Sequence, residues 1–374
     1  MQRPKLLVIG GFLGAGKTTA LLRLAKMFHA ENRRVALITN DQAANLVDTG
    51  IVRFHGFRVE EVAGACFCCK FDELADAAES IRTRDRPDVL LAEPVGSCTD
   101  LAATVVAPLQ KLYGDRYSIA PYSVLVDPER VRRIVIENGF GGFSSKVAYI
   151  FRKQLEEADV ICINKSDLLG PAERDDLLDA VGKTFPRAKV IATSGLTGEG
   201  FDMWRDLLEN SAPVTPKIAE VDYERYAEGE AELGWLNIAL RFEAPSPLDP
   251  DALVRDLLEG MRAALSARGA EAAHIKVLFE GDGGSSMANY VGGGSPVRLS
   301  QPGNAVEREG RLILNARVHM DPEPLRVLAG EAIARALAAR GARQTIEASA
   351  HFRPGRPVPT HRYSAEGVRR SPRV

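Results

Sequence analysis

Gly11-Phe12-Leu13-Gly14-Ala15-Gly16-Lys17-Thr18 is the stretch on which the reading of this chain turns. The apolar run Leu6-Leu7-Val8-Ile9 before it has the length of a short buried strand. Thr19 to Met27 after it has helical period, with Leu21, Leu22 and Leu24 on the apolar side. Gly11, Gly14 and Gly16, with small Ala15 among them, let the backbone fold tightly enough for successive N–H groups to face an anion. Lys17 would then reach the β- and γ-phosphates of a nucleoside triphosphate. The Thr18 hydroxyl would bind magnesium, with Thr19 beside it at the positive end of the helix. A glycine-rich turn can be only a turn, but Lys17 and Thr18 in register argue for the phosphate cradle.

Composition narrows the rest. A chain of 374 residues with 45% hydrophobic content can bury a sizeable core and is long enough for two domains. Lys plus Arg (48) nearly equals Asp plus Glu (50), so no global field favours nucleic acid. No apolar stretch reaches the roughly 18 residues that span a bilayer, so no membrane partner is expected. Lys5 to Leu13 could mimic a secretion signal, but the glycines and Lys17 interrupt it. Five cysteines, three of them crowded together, argue against a secreted disulfide framework and for the cytoplasm.

Outward from the loop, Arg34–Thr39, Val89–Ala92, Ser123–Val126, Val160–Ile163 and Val190–Ala192 are apolar runs of strand length. Asp100–Leu112 and Lys146–Ala158 between them have helical period. The alternation predicts an α/β domain over residues 1–210 with a mainly parallel sheet and function at the carboxyl ends of its strands. Asn210 to Ala231, with two prolines and many charges, reads as a linker spanning 211–232. Over 233–353 the order is strand (Trp235–Phe242), helix (Asp251–Ala267), strand (Ala273–Phe279), strand (Arg311–His319), helix (Pro324–Arg340), strand (Thr345–Phe352). That is the βαββαβ plan of a smaller ferredoxin-like α+β domain. Gly281–Gly294 is expected to be a mobile loop, and the Pro- and Arg-rich tail, 354–374, a solvated terminus with too few apolar residues to pack.

Asn164-Lys165-Ser166-Asp167 closes the run Val160–Ile163. A carboxylate there accepts from guanine N1–H and its 2-amino group, a donor pair that adenine lacks, so the expected nucleotide is GTP. Asn164 is placed to meet the base's other edge, and the Lys165 stem to cover its face. Thr193-Ser194-Gly195 after the next strand supplies the remaining wall, with Ser194 its polar group.

Cys66-Phe67-Cys68-Cys69 puts three thiols within four residues. If the segment is extended, Cys66 and Cys68 share a side and Cys69 reaches round from a turn. Thiolates select zinc, cuprous copper and related soft metals, and zinc prefers four ligands. Three cysteines leave a vacancy for Glu60, Glu61, a water or a partner's group. The alternatives are small buried residues or a redox pair, although a Cys68–Cys69 disulfide would be strained.

GFLGAGKTT, the Cys-x-Cys-Cys cluster and NKSD, in this order, resemble the CobW-type metal-chaperone P-loop GTPases, relatives of UreG and HypB. The similarity covers about residues 5–210 and weakens afterwards. It implies GTP hydrolysis coupled to delivery of a transition metal, zinc or cobalt, to a client metalloprotein, and it is compatible with a nucleotide- or metal-dependent homodimer. Glu93-Pro94-Val95-Gly96 resembles the family's Glu-x-x-Gly facing the γ-phosphate, where Glu93 is either a magnesium-side acid or a strand-end residue. Gly96 would let a backbone N–H approach that phosphate. Asp41 resembles the switch acid of UreG-like relatives, acting on magnesium or on the attacking water; otherwise it is a helix N-cap. Phe151–Leu155 with Ala158-Asp159 resembles the helix leading into the guanine motif.

Two departures stand out. Ala65 precedes the first cysteine where the family usually has Gly, and there is no His-rich stretch. His319, His351 and His361 are the remaining candidates for a second metal contact. No arginine finger is identifiable, so hydrolysis by the chain alone is expected to be slow. Two other functions stay open: a GTPase that loads or reactivates a cobalamin-dependent enzyme, and a non-catalytic metal sensor with GTP as a structural ligand.

Overall fold

The computed structural model describes residues 3–42, 47–211, 215–303 and 305–369. The chain divides into two compact units, one of residues 1–42, 56–226 and 356–374, the other of 43–55 and 227–355.

The first unit is built on an eight-stranded sheet in which every pairing is parallel. Its strands are β1 (Lys5–Gly11), β2 (Val35–Asp41), β3 (Arg58–Ala63), β4 (Val89–Glu93), β5 (Ser118–Ile119), β6 (Ser123–Val126), β7 (Val160–Ile163) and β8 (Lys189–Ala192). The order is β3-β2-β4-β1-β6-β7-β8, with short β5 also paired to β1. The central strands are continuous apolar runs because both faces are covered: β4 and β7 are buried along their whole length. β3 was not legible as a strand, since Arg58-Val59-Glu60-Glu61-Val62-Ala63 has no apolar run; it sits at the sheet edge, where partial exposure tolerates charge. Register sets the working edge. Val8 pairs with Ala92, and Thr39 with Glu93, so β1, β2 and β4 finish side by side.

The second unit is an antiparallel sheet of β9 (Gly234–Leu248), β10 (Ala272–Gly281), β11 (Gly284–Tyr290), β12 (Arg298–Gln301), β13 (Glu307–Val318) and β14 (Arg343–Phe352), ordered β12-β11-β10-β13-β9-β14. The four strands β10-β13-β9-β14 keep the ferredoxin-like order. Helices Pro250–Ser266 and Pro322–Ala338 cover one face through Leu257, Leu258, Met261, Leu328 and Ile333, all buried in one core with Leu240 and Phe279. Inside this unit Arg317, 1% exposed, lies 3.9 Å over the Trp235 ring and donates to Asn237 Oδ1 at 2.7 Å and Leu236 O at 3.1 Å. A buried guanidinium is tolerable only because such dipoles replace its water.

Three expectations are corrected. The glycine-rich stretch 281–294 is not a mobile loop: Gly281 pairs with Gly284 across Asp282-Gly283, and β11 runs on from that two-residue turn. Asp-Gly is the sequence signal of a tight hairpin, and the glycine count obscured it. The expected linker contains a helix, Tyr223–Ala231, whose Tyr226 is 1% exposed; residues 212–214 of it lie outside the described residues. The tail is tethered through residue 363 rather than free: Arg356, Val358, Thr360 and Arg362 stay exposed, but its backbone and polar groups are hydrogen-bonded into the first unit, as detailed below; residues 370–374 lie outside the described residues.

Candidate nucleotide and metal site

The phosphate loop follows β1 and leads into the helix Lys17–Ala30. Gly11 and Gly16 have φ of 131° and 88°. A Cβ on Gly11 would lie 2.2 Å from Leu125 O, and one on Gly16 2.6 Å from Asn164 Nδ2, so both positions require glycine on two counts. Gly14 is also left-handed, at 80°, and Ala15 is buried at 1% exposure. Beneath the loop, buried Arg130 sits 5.3 Å from the ring centroids of Phe12 and Phe143 and donates to Leu13 O.

Glu93, at the end of β4, meets the start of this helix. Thr18 Oγ1 donates to Glu93 Oε1 at 3.1 Å, and Lys17 Nζ stands 3.9 Å from the same oxygen, with all three residues buried. Asp41 ends β2 on the same edge, and its Oδ1 accepts from Gln42 N at 2.5 Å. Gly96 packs on the phosphate loop: a Cβ there would lie 2.9 Å from Lys17 Nζ and 3.0 Å from Leu13 N.

The guanine-type motif is braced rather than free. Asn164, 2% exposed, donates to Ala15 O at 2.8 Å and accepts from Gly195 N at 3.1 Å. Its amide thus ties the phosphate loop to the last loop of the site, instead of standing open to a base edge. Lys165 has φ 62° and its Nζ bonds Asp127 Oδ2 at 2.6 Å. Burial works against the Asp127 charge, yet Lys165 and Arg130 outweigh it and hold that carboxyl below its ordinary value. Asp167 is exposed and accepts from Ser194 Oγ at 2.5 Å. Thr19 lies against the same loop, its Cγ2 3.2 Å from where a Gly195 Cβ would be.

The three thiols lie in a turn, not an extended segment, because Cys69 N and Lys70 N both donate to Cys66 O at 3.0 Å. That turn brings every sulfur to one side. Cys66 Sγ is 2.8 Å from Cys68 Sγ and 3.3 Å from Cys69 Sγ, and Cys68 to Cys69 is 3.8 Å. All three stand within 4.8 Å of one another. Hydrogen bonding with Cys68 first, then with Cys69 and Cys98, holds the Cys66 thiol well below its ordinary value. In turn the hydrogen bond to Cys66, together with burial, pushes Cys68 up, and Cys69 rises to about 11.

The candidates for a fourth ligand do not join them. Among the described residues no carboxylate or imidazole completes the group. Glu60 instead accepts from Arg84 at 2.9 Å. His319 is 3.5 Å from Glu232, His351 3.0 Å from Glu323, and His361 packs edge-on to Phe71 at 5.1 Å.

Over residues 5–192, half of the chain, the sequence matches the family described as CobW/HypB/UreG, nucleotide-binding domain. The chain belongs to that family. It is similar to the zinc chaperone CobW of Sinorhizobium sp, 26% identical over 199 residues, covering 48% of this chain and 56% of that protein. It is also similar to the zinc chaperone YeiR of Escherichia coli K12, 28% identical over 174 residues, covering 46% and 49%. The chain spans about half the length of these curated relatives. A solved structure, the Zn(II)-bound YjiA GTPase from E. coli, aligns over 88% of this chain and 99% of that one at 16% identity, with a TM-score of 0.38.

Three residues escaped sequence reasoning. Asn40, buried one place before Asp41, donates to Val62 O and Ala65 O and accepts from Phe67 N, each at 2.8 Å, fastening the cysteine turn to β2. Its signal was slight: a polar residue ending an apolar strand. Cys98 is a further buried thiol, and Gln154 pins the turn that carries it by donating to Cys98 O at 2.7 Å; both are single residues without a motif. The tail covers the outer side. Val358 N donates to Cys69 Sγ at 3.2 Å, Thr360 N to Cys68 O at 2.9 Å and Thr360 Oγ1 to Cys69 O at 3.1 Å. Arg362 Nε then bonds buried Asp100 at 2.6 Å.

Asn40→Ala removes three hydrogen bonds, two of them buried, so it should cost about 1–3 kcal/mol in urea unfolding and speed thiol labelling at the cysteine turn. Removing residues 357–374 should accelerate reaction of Cys69 with a disulfide reagent about tenfold, the equivalent of ~1.4 kcal/mol of lost protection. Peptide mapping of the labelled cysteine checks both.

Proposed function

We propose that this chain is a GTP-hydrolysing metallochaperone that carries zinc or cobalt on Cys66, Cys68 and Cys69 and passes it to a client metalloprotein in the reducing cytoplasm. The observation that carries the reading is the gathering of three buried or half-buried sulfurs in a turn that Asn40 ties to β2, one residue from Asp41. Soft thiolates suit the cargo, and family membership suits the nucleotide.

The residues present fit magnesium. A hydroxyl and a carboxylate, both hard oxygen donors, meet at the start of the helix beside Lys17. Thr18 would hold the ion, with Glu93, and Asp41 through water, on its protein side. When bound it would supply charge neutralisation on the phosphates. The remaining work falls to the chain. Gly11, Gly14, Ala15, Gly16 and Thr19 cradle the phosphates, Lys17 offsets the charge that develops between β- and γ-groups, and Gly96 presents its N–H to the γ-phosphate. Glu93 and Asp41 orient the attacking water. Asp167 reads guanine, Lys165 covers the base face, Asn164 holds the two loops in register and Ser194 aims the Asp167 carboxylate. Arg130 is committed to Leu13 and two aromatic rings, so acceleration by an arginine would come from a partner, either a second copy or the client.

Asp167→Asn should weaken GTP by about 1–3 kcal/mol and restore tight binding with xanthosine triphosphate, measured by calorimetry. An unchanged preference would place base recognition elsewhere. Zinc affinity should differ at least about tenfold between the GDP form and a non-hydrolysable GTP form, read by competition with a chromophoric chelator. Equal affinities would remove the coupling between nucleotide and cargo.

A further inference from the structure

One face of the helix Ser145–Glu156 touches both the phosphate loop and the loop that carries Gly96. Phe151, 1% exposed, packs edge-on to Phe12 of the phosphate loop, with 5.8 Å between ring centroids. Three residues on, on the same side of the helix, Gln154 Nε2 donates to Gly96 O at 3.0 Å and to Cys98 O at 2.7 Å. We propose that Gln154 is a positioning residue for the γ-phosphate: it fixes Gly96 against the phosphate loop, and the preference for GTP over GDP depends on it. This inference rests on the reading of residues 11–18 and Gly96 as the triphosphate site.

Both partners of Gln154 are carbonyl oxygens, which only accept, so the amide must present its NH2 group, and each of its two hydrogens is used. The other end goes without. Gln154 is 1% exposed, and among the described residues nothing donates to its Oε1. A buried amide oxygen left in that way is a cost to the fold. A side chain present for packing alone would avoid it, since methionine fills a similar space with no polar atoms to satisfy. The gain lies in the loop, where Gly96 has little room to move. A Cβ on it would meet Leu13 Cδ2 at 2.8 Å, Lys17 Nζ at 2.9 Å and Leu13 N at 3.0 Å.

The next residue on that face secures the far end of the loop. Glu157, three positions after Gln154 and 1% exposed, accepts from Thr99 Oγ1 at 3.2 Å and from Ala102 N at 2.8 Å. Between these points Cys98 N closes on Val95 O at 3.1 Å. Gly96 thus stands in a loop tied at both ends to one helix, and the same helix leans on Phe12. The two sides of the γ-phosphate share one frame. The Gly96 N–H is therefore set in place beforehand, and binding does not have to order it first. GTP gains a charge-assisted hydrogen bond from it, and GDP, which lacks the γ-phosphate, gains nothing. Without the Gln154 donors the Gly96 and Cys98 carbonyls lose their anchor, while the glycines that cradle the α- and β-phosphates keep theirs.

Gln154→Met in the full chain keeps the bulk and removes both donors. Its affinity for a non-hydrolysable GTP analogue should fall about tenfold while that for GDP holds, both measured by calorimetry with magnesium. Ile150→Val, which opens a small cavity at a buried residue of the same helix, should lower thermal stability and leave the ratio of the two affinities as in the parent. A ratio unchanged in Gln154→Met, or changed as much in Ile150→Val, would overturn the inference. Hydrogen exchange of the parent chain needs no variant: the amides of Cys98 and Ala102 should be protected with GDP bound as well as with the analogue. Free exchange of both in the GDP form would mean that the helix does not hold the loop, and would overturn it too. A parent chain that binds analogue and GDP alike would instead bring down the γ-phosphate reading of Gly96, and the inference with it.

Discussion

The parallel pairing of β1 with β4 is the constraint from which the site is assembled. Because Val8 stands opposite Ala92, the first strand delivers the phosphate loop where its neighbour delivers Glu93. The Thr18–Glu93 hydrogen bond is the outcome, a buried hydroxyl and carboxylate that satisfy each other at the helix start. β2, on the far side of β4, brings Asn40 and Asp41 to the same edge, and Asn40 holds the cysteine turn there. Three neighbouring strand ends thus provide a phosphate cradle, an acid and a sulfur cluster.

Polar bracing does most of the fastening at this edge. Asn40 and Asn164 each spend both ends of an amide on loop backbone, and Gln154 donates twice to a third loop. A buried amide is costly without partners, so each one specifies a single loop geometry. Apolar packing alone would fix the layers of the sheet but not loop positions to a fraction of an ångström.

The parts legible in the sequence were those with local signatures. The phosphate loop, the Asn-Lys-Ser-Asp run and the three clustered thiols announce themselves by spacing, and the buried strands by apolar runs. β3 was hidden because an edge strand need not be apolar. β11 was hidden because glycines were read as disorder when Asp282-Gly283 was a hairpin turn. Cys98, Asn40 and Gln154 were beyond sequence reasoning for a different cause. A single thiol or amide acquires meaning only when the sheet order places its loop beside another, and strand order is not written locally. The tail misled by composition: few of its residues are apolar, yet Pro354 and Pro357 are buried, Arg362 pairs with Asp100, and Thr360 and Tyr363 are secured through their backbone N–H groups.

That strap has a consequence in time. Residues 358–363 seal Cys68 and Cys69, and they are synthesised after every other part of the first unit that they cover. On the ribosome the sulfur turn can fold onto β2 long before its cover exists. For that interval the three thiols stand without their cover, and emergence of the strap lays its backbone against Cys68 and Cys69.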